Sequence, residues 1–567
     1  MKRLLLLMLA GTLALADVST RAQSRDQFVP HLIGFDVAEA TIYDMQGAMQ
    51  RGRVTSKELV LQSFARIAFY KTTLNPVISL YQGAIAEAEQ RDLERARGFV
   101  RGPLHGIPVA VKDNINTTFM PTTGGALAFA GYTPPYDAPL VTNLKNAGAV
   151  IIAKTVMTEL ANWVTNGMPG NYSAVGGYGM NPYDPRKDPR PGTDDGRPVM
   201  GVGGSSSGIG TAASLWAANV GTETSGSILS PANANMIVGI KPTVGRISRY
   251  GIIPITADQD TAGPMARTVA DAAIMLGAME GVDPNDAATT KCTPPPGRDY
   301  QQFLRLTGLR GKRIGIPRAF YYDTIVLPGN TGASGGLNAA QTAMMNDVIA
   351  VLKAQGAVVV DPADIPSVVD RARDNNNAIQ GTCTGFKATD VDCSVVFKYG
   401  FKRDFAAYIA SLGASAPVKS LTELRAFNTA NAANGAIKYA QVLLDTSDEM
   451  NLTTDLARYQ RDRAKDIHLA DAHGIREAMR VNNLDALLFP GSSSAGIAAR
   501  ASFPTVGVPY GFIPNAPTPA LPAGFNAKDQ PYGVGFTGVD CSEPTLIEIA
   551  YAFEQATKKR VPPSATP

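Results

Sequence analysis

Three short segments contain the residues of this chain whose types and spacing could do chemistry. Residues 106–113 end an apolar run at Lys112, residues 203–208 hold three consecutive serines between glycines, and residues 221–228 contain Ser227. A serine hydroxyl becomes a nucleophile when a neighbouring base accepts its proton. A lysine can be that base when burial lowers its pKa towards neutrality. Glycines let backbone N–H groups approach a developing oxyanion, so the segments predict acyl transfer without histidine.

Each segment also has a simpler or a competing interpretation. Lys112 could be a solvated lysine at a strand end, and the glycine-serine run could be a flexible loop. Residues 204–208 also fit the G-x-S-x-G nucleophile elbow centred on Ser206, which would indicate an α/β-hydrolase. That elbow requires a strong preceding strand and a downstream histidine, and only His468 and His473 are available. A phosphate-binding cradle is a non-enzymatic alternative, but no P-loop or dinucleotide pattern follows a strand here.

The three motifs, in this order, resemble the amidase signature family. The similarity continues through residues 238–248 and 259–271. The resemblance implies an unusual triad: Ser227 is the nucleophile, Ser205 is a bridging serine held by a cis peptide bond, and Lys112 is the base. Ser206 is the alternative to Ser205 as the bridge.

The same resemblance implies the remaining site residues. The oxyanion hole would consist of the backbone N–H groups of Thr224, Ser225, Gly226 and Ser227, and the supporting hydroxyls would be Ser206 and Ser207. This chain departs from the family at two nearby positions. It has Ser225 where many members carry Asp or Gly, and Leu229 where many carry Arg.

The expected substrate is a carboxylic amide, and neither a cofactor nor a metal is implied. Residues 251–254 and the Gly-Ser-Ile-x-x-Pro form are most similar to bacterial peptide amidases, which hydrolyse the C-terminal carboxamides of peptides. An aryl amide, a carbamate or an ester is compatible with the same triad. The family's subunit that supplies ammonia for tRNA-bound glutamate is a poorer fit, because this chain has an export-like N-terminus and Leu229.

The pattern of secondary structure predicts an α/β protein. Helices are expected at 40–50, from Thr55 with a Thr55–Glu58 capping box, and at 139–146, 209–219, 338–354 and 475–482; strands are expected at 107–111, 149–153, 312–316, 357–360 and 484–489. Such alternation indicates a sheet covered by helices. With the resemblance, it predicts one large mixed, twisted β-sheet covered by helices on both faces.

The N-terminus resembles a secretory signal. Lys2 and Arg3 precede an apolar run over residues 4–16, which is too short for a membrane anchor, and cleavage would fall near residue 16 or 22. This predicts a signal peptide over 1–22, an amidase signature catalytic domain over 23–567, and an exported protein, periplasmic or secreted.

Residues 319–474 lack the family-like motifs and are expected to shape the substrate site. Residues 181–199 predict a surface loop that borders it.

The overall composition excludes some classes of partner. The formal net charge is +3 with 18% charged residues and no long basic block, so a nucleic acid is not expected, whereas a small-molecule or peptide amide is. The oligomeric state stays open. The four histidines form no H-E-x-x-H pattern and the four cysteines no zinc pattern. Cys383 and Cys393 could pair in an exported protein, or all four cysteines could remain reduced.

Overall fold

An eleven-stranded mixed β-sheet organises the protein and carries most of the candidate site. The computed structural model describes residues 34–567, so the predicted signal peptide lies outside the described residues. The sheet order is β1-β3-β2-β6-β8-β7-β16-β17-β15-β9-β12. The strands are β1 (Val77–Leu80), β2 (Pro108–Lys112), β3 (Val150–Thr155), β4 (Tyr172–Ser173), β5 (Gly177–Tyr178), β6 (Ala218–Glu223), β7 (Val238–Lys241), β8 (Thr261–Ala266), β9 (Arg313–Gly315), β10 (Thr324–Val326), β11 (Ala333–Gly335), β12 (Val358–Val360), β13 (Gly381–Thr382), β14 (Cys393–Ser394), β15 (Ala486–Pro490), β16 (Thr505–Ile513) and β17 (Gln530–Thr537).

The helices follow the strands along the whole described chain. They are α1 (Ile42–Gln50), α2 (Ser56–Leu74), α3 (Ala84–Ala96), α4 (Pro139–Asn146), α5 (Ile209–Ala212), α6 (Leu229–Ala234), α7 (Val269–Met279), α8 (Ala339–Ala354), α9 (Pro366–Val369), α10 (Val396–Ser411), α11 (Leu421–Ala430), α12 (Val442–Asp448), α13 (Leu456–Ile467), α14 (Arg476–Val481), α15 (Ala495–Arg500) and α16 (Glu543–Thr557). None of the helices in residues 34–567 is long and apolar enough to cross a membrane.

The sheet is buried on both faces, as predicted. Alternate residues of a strand point to opposite faces, and in β2 Val109 and Val111 join one apolar core while Ala110 joins another. Strand pairing is also mixed: β2 lies parallel to β3 and β6, whereas β8 is antiparallel to β6 and β7. The α/β class and the single large sheet are therefore confirmed.

Local sequence signals located several elements closely. The Thr55–Glu58 capping box begins α2, and the predicted helix over 139–146 has the observed bounds of α4. The helix predicted over 338–354 is α8, with Asn338 as its N-cap. These signals succeed because caps and helix-breaking glycines act within one turn of the chain.

The helix predicted over 209–219 is wrong beyond its first turn. Helix α5 ends at Ala212, Ser214 adopts a left-handed conformation with φ of 54°, and the chain enters β6 at Ala218. Gly210 packs against the indole of Trp216, where a Cβ would lie 2.0 Å from a ring carbon. Pairing of β6 between β2 and β8 thus overrides the helical propensity of this stretch.

The four cysteines form two disulfide bonds, Cys292–Cys541 and Cys383–Cys393. The pairing of Cys383 with Cys393 is one of the alternatives that the sequence allowed, and it excludes four reduced thiols. Cys292–Cys541 joins positions 249 residues apart, which no local pattern could identify.

Apart from the edge strand β12, most of the region expected to shape the site packs beside the sheet. Helices α10, α11 and α12 supply Phe401, Leu424 and Leu444 to a separate apolar core shared with Leu160 and Ile253. This core brings the variable region against the segments that follow β3 and precede β8. The predicted boundaries of the catalytic domain and of this region stay predictions.

Candidate functional site

Lys112 is the last residue of β2 and is fully buried. Its Nζ lies 2.8 Å from Ser205 Oγ, 2.8 Å from Thr222 Oγ1 and 3.2 Å from the Thr222 carbonyl oxygen. Burial lowers the pKa of Lys112 to about 7, although the nearby Asp260 and Glu223 carboxyls oppose this change. A strand therefore holds an amine that is close to half neutral at neutral pH, in contact with a serine hydroxyl.

The serine run separates into different roles. Ser205 is buried and contacts Lys112, whereas the Ser206 hydroxyl donates to the Thr222 carbonyl at 2.9 Å and accepts from the Thr222 N–H at 3.0 Å. Ser207 Oγ accepts a 3.4 Å hydrogen bond from the N–H of Ile209. Since both hydrogen bonds of Ser206 tie it to β6, the structure favours Ser205 over Ser206 as the neighbour of the lysine.

The nucleophile-elbow alternative lacks its structural context. The residues before the serine run form no strand, and the helix after it, α5, has only four residues. Ser206 is fully buried and bonded to β6, so it is not presented at the top of a strand–turn–helix as that motif requires.

The peptide bond before Ser205 differs from the expected cis bond. In the described part of the chain the cis bonds are Asp361–Pro362 and Thr518–Pro519, both before proline. A cis bond before another residue costs about 3 kcal/mol. The contact between Ser205 and Lys112 already forms with the ordinary trans bond, so this expectation is corrected.

Ser227 lies on the turn between β6 and α6 and is partly exposed. It lines a cavity of about 310 Å³ together with Ser205, Thr224, Ser225 and Gly226. Within residues 34–567, the Ser227 hydroxyl forms no hydrogen bond, whereas its carbonyl oxygen accepts from the N–H of Ser206 at 3.2 Å. The structure thus brings the two predicted serines to one cavity without a direct hydrogen bond between their hydroxyls.

A buried carboxylate anchors the turn that carries the predicted oxyanion donors. Glu223 Oε2 accepts from the N–H groups of Ile228 at 2.7 Å and Leu229 at 2.9 Å. In the described chain the N–H groups of Ser225 and Ser227 donate to no protein acceptor. These two N–H groups are therefore available to an oxyanion, and the full set of donors, the N–H groups of Thr224, Ser225, Gly226 and Ser227, stays a prediction.

Four residues of the site were not identified from the sequence as site residues. Thr222 Oγ1 accepts a hydrogen bond from the amine of Lys112, and Asn114 Nδ2 donates to Thr222 Oγ1 at 3.1 Å. Glu223 anchors the turn that carries Ser227, and Asp260 accepts a hydrogen bond from the Thr224 hydroxyl. The sequence signal that could have identified them is that each lies within or beside one of the motifs. Such polar residues are also common in ordinary turns, so this signal is weak.

Gly204 allows the two serine-bearing loops to touch. A Cβ at this position would lie 2.9 Å from Ser227 Cα and 3.1 Å from the Gly226 carbonyl oxygen. We expect Gly204→Ala to lower kcat by roughly 10²-fold, since a displacement of about 1 Å can have that effect on oriented groups. Steady-state kinetics on an amide substrate measure it.

Gly201→Ala is the matched control for this substitution. A Cβ at Gly201 would meet no atom within 4 Å, so its kcat should stay at the wild-type value. Equal activity of the two variants would contradict the requirement for close approach.

The pH dependence of kcat/KM should report the ionisation of Lys112. With a pKa of about 7, the amine is a base only in its neutral form, so activity should rise as the pH increases through about 7. Burial also raises the pKa of Asp260 to about 7, and its negative charge favours the protonated lysine. Asp260→Asn should therefore shift the rise to lower pH. A wild-type profile that falls across this interval would contradict the assignment.

The described residues thus combine a large mixed sheet with a fully buried lysine and two serine-bearing loops around one cavity. The amidase family model matches residues 58–547, and the chain belongs to the amidase signature family. It is thus an amidase, a hydrolase of amide C–N bonds. This replaces the α/β-hydrolase and phosphate-cradle alternatives.

Full-length relatives agree with this assignment. A probable amidase of Arabidopsis thaliana is 34% identical over 536 residues, covering 93% of this chain and 92% of its own. The native peptide amidase from Stenotrophomonas maltophilia is similar with a TM-score of 0.77 and 36% identity, covering 94% of this chain and 99% of its own. An amidase family protein from Bacillus anthracis has a TM-score of 0.76 and 30% identity, with 93% of each chain covered.

Proposed function

We propose that this amidase hydrolyses primary carboxamides, in particular the C-terminal amides of peptides, with Ser227 as nucleophile, Ser205 as proton bridge and Lys112 as base. The observation that supports the triad is the 2.8 Å contact between Lys112 Nζ and Ser205 Oγ at a fully buried lysine. Burial makes the neutral amine accessible near neutral pH, and the serine connects it to the cavity of Ser227.

The proposed reaction has two halves. In the first, Ser227 Oγ attacks the amide carbonyl while its proton passes to Ser205, whose own proton passes to Lys112. The oxyanion accepts hydrogen bonds from the N–H groups of Ser225 and Ser227. The relay then protonates the leaving amine as the C–N bond breaks, which gives an acyl-enzyme and ammonia. In the second half, water attacks the ester in the same way and releases the carboxylic acid and Ser227.

The relay requires one contact that forms only with substrate. Lys112 and Ser205 are already hydrogen-bonded, whereas the Ser227 hydroxyl has no partner in the described residues. Catalytic hydrogen bonds are often long in the free enzyme and shorten in the complex. A rotation of the Ser227 side chain about its Cα–Cβ bond would move its hydroxyl without moving the backbone, which Glu223 anchors.

The proposed substrate class depends on similarity to peptide amidases. The Stenotrophomonas maltophilia peptide amidase is similar over nearly the whole of both chains, and the site has a cavity on the surface of the sheet for an acyl group. Aryl amides, carbamates and esters would react with the same groups. Ammonia release from peptide amides, compared with product release from anilides, carbamates and esters, separates these classes.

We also propose that the protein is exported to the periplasm or secreted. The two disulfide bonds that involve all four cysteines support this, because structural disulfides persist in oxidising compartments. The apolar run after Lys2 and Arg3 is the proposed signal. N-terminal sequencing of the mature protein from the periplasmic or culture fraction tests this, and an intact Met1 in the cytoplasmic fraction would refute it.

Covalent labelling tests the nucleophile directly. A fluorophosphonate reacts with an activated serine, and mass spectrometry of the digested protein locates the adduct. Modification at Ser227 is the expected result. An adduct on Ser205 or Ser206, or no adduct from a preparation that hydrolyses amides, would contradict the proposed mechanism.

A further inference from the structure

A second cavity adjoins the cavity of Ser227. Its volume is about 310 Å³, within the range of small-ligand pockets. The two cavities share Ala161, Thr224 and Ile255 as lining residues. The second cavity also reaches Asn114 and Thr222, which lie beside Lys112. It therefore extends from the predicted reaction centre rather than forming a separate surface site.

The walls of this second cavity are mainly apolar. The segment 252–255 contributes three isoleucines and a proline, and helix α10 contributes Ala407 and Tyr408. The Tyr408 hydroxyl is already bonded to Asn116 Oδ1 at 2.8 Å. A group placed here would exchange water for hydrocarbon contacts, which is favourable only for an apolar group.

The charged side chains of the cavity are occupied by other partners. Arg249 forms an ion pair with Asp286, and Asp404 accepts hydrogen bonds from Arg403 at 2.7 and 2.8 Å. Asp260 accepts from the hydroxyl of Thr224 and from the N–H of Ile255. The charges of Asp286 and Asp404 are thus balanced by arginines, and both oxygens of Asp260 accept hydrogen bonds from the protein.

A strained segment separates the two cavities. Leu160, Ala161 and Asn162 have φ values of 42°, 56° and 77°, a conformation that costs about 1 kcal/mol or more for each residue other than glycine. Hydrogen bonds from the Leu160 N–H to Gly124 and from the Ala161 N–H to Thr158 hold it. Of this segment only Ala161, with its single methyl group, lines both cavities.

We propose that the second cavity binds the apolar side chain of the residue that bears the carboxamide, so that the enzyme prefers amides of large apolar residues. The proposal rests on the proposed function. In a primary carboxamide the leaving group is ammonia, so the remaining volume of the substrate lies on the acyl side. Residues 160–162, 252–255 and 407–408 would then determine specificity without taking part in the chemistry.

Ala407→Phe tests the proposal, with Ala406→Phe as its matched control. Both alanines are exposed on α10, but only Ala407 lines the cavity. The substrates are N-acetylphenylalaninamide and N-acetylglycinamide, assayed by ammonia release. We expect Ala407→Phe to lower kcat/KM for the phenylalanine amide by roughly tenfold or more relative to the glycine amide, a usual effect of lost apolar contacts in a pocket. Ala406→Phe should leave the ratio unchanged.

A second variant covers the case in which the new phenylalanine turns towards solvent. Ala161→Leu places a larger side chain where the two cavities adjoin. It should lower kcat/KM for the phenylalanine amide relative to the glycine amide, and thermal melting checks that the variant is folded. Unchanged ratios in both folded variants would overturn the proposal. The proposal would also be overturned if the variants lost kcat/KM for acetyl anilide, whose leaving group is large, but not for the phenylalanine amide. A wild-type enzyme that hydrolyses neither primary amide would instead refute the proposed function, and this assignment with it.

Discussion

Ser227→Ala is expected to reduce amide hydrolysis by roughly 10⁴-fold or more, the scale on which loss of a serine nucleophile acts in other serine hydrolases. The reason is that alanine has no oxygen to form the acyl-enzyme, so the lysine and the second serine have no nucleophile to deprotonate. The backbone N–H at position 227 is retained, so substrate binding should change less than kcat. Steady-state ammonia release measures the loss of activity. Fluorophosphonate labelling measures the reactivity of the serine, and it should disappear in the variant.

The control for this loss is Ser230→Ala. Ser230 lines the same cavity three residues further along the chain, and it has no part in the proposed relay. Its kcat should remain near the wild-type value. If a folded Ser227→Ala protein hydrolysed amides at the wild-type rate, the nucleophile would have to be another group.

Lys112→Met is expected to lower kcat by roughly 10³-fold or more, since general-base assistance contributes about 10² to 10⁴-fold and here also activates the nucleophile. Methionine fills much of the space of the lysine but accepts no proton from Ser205. Any residual rate should lose the rise through about pH 7 that neutral Lys112 produces. This change in the pH profile would not follow from a purely structural defect.

Stability provides a separate readout for the same variant. The pKa of Lys112 is about 7 in the folded protein and 10.5 ordinarily, so the unfolded chain binds more protons between these values. The stability contribution of the wild-type lysine is therefore complete above about pH 10.5, is lost as the pH falls towards 7, and is constant below. Relative to wild type, the Tm of Lys112→Met should rise over that interval as the pH falls. Lys353→Met, at an exposed position of α8, should show neither this trend nor a loss of activity.

Much of the fold followed from short-range signals. The capping box predicted the start of α2, and a helix-ending glycine with the apolar pattern predicted both ends of α4 and α8 nearly to the residue, because these signals act between neighbouring residues. The helix predicted over 209–219 failed at β6 for the opposite reason. Its last residues begin β6, which pairs with β2 on one side and β8 on the other, and strand pairing depends on segments that are distant in the sequence.

The candidate site was predictable in its parts but not in its contacts. The resemblance named Lys112, Ser205 and Ser227 as the triad, yet the sequence left Ser205 and Ser206 as alternatives for the bridge. The structure separates them because β6 binds the hydroxyl of Ser206 and leaves Ser205 beside the lysine. It also directs the N–H groups of Ile228 and Leu229 to Glu223, a contact that depends on how the turn folds back on its own strand.

The sequence by itself determined the class of chemistry: a lysine at the end of an apolar strand and serines between glycines, in an order typical of amidases. Only the tertiary structure decided which groups meet. Lys112 and Ser205 are 93 residues apart in the chain. The second cavity combines residues of β6, the segments that follow β2 and precede β8, and helix α10. The type of each residue can be read directly from the sequence. Burial, and with it the pKa of an amine, depends on the packing of segments that are distant in the sequence.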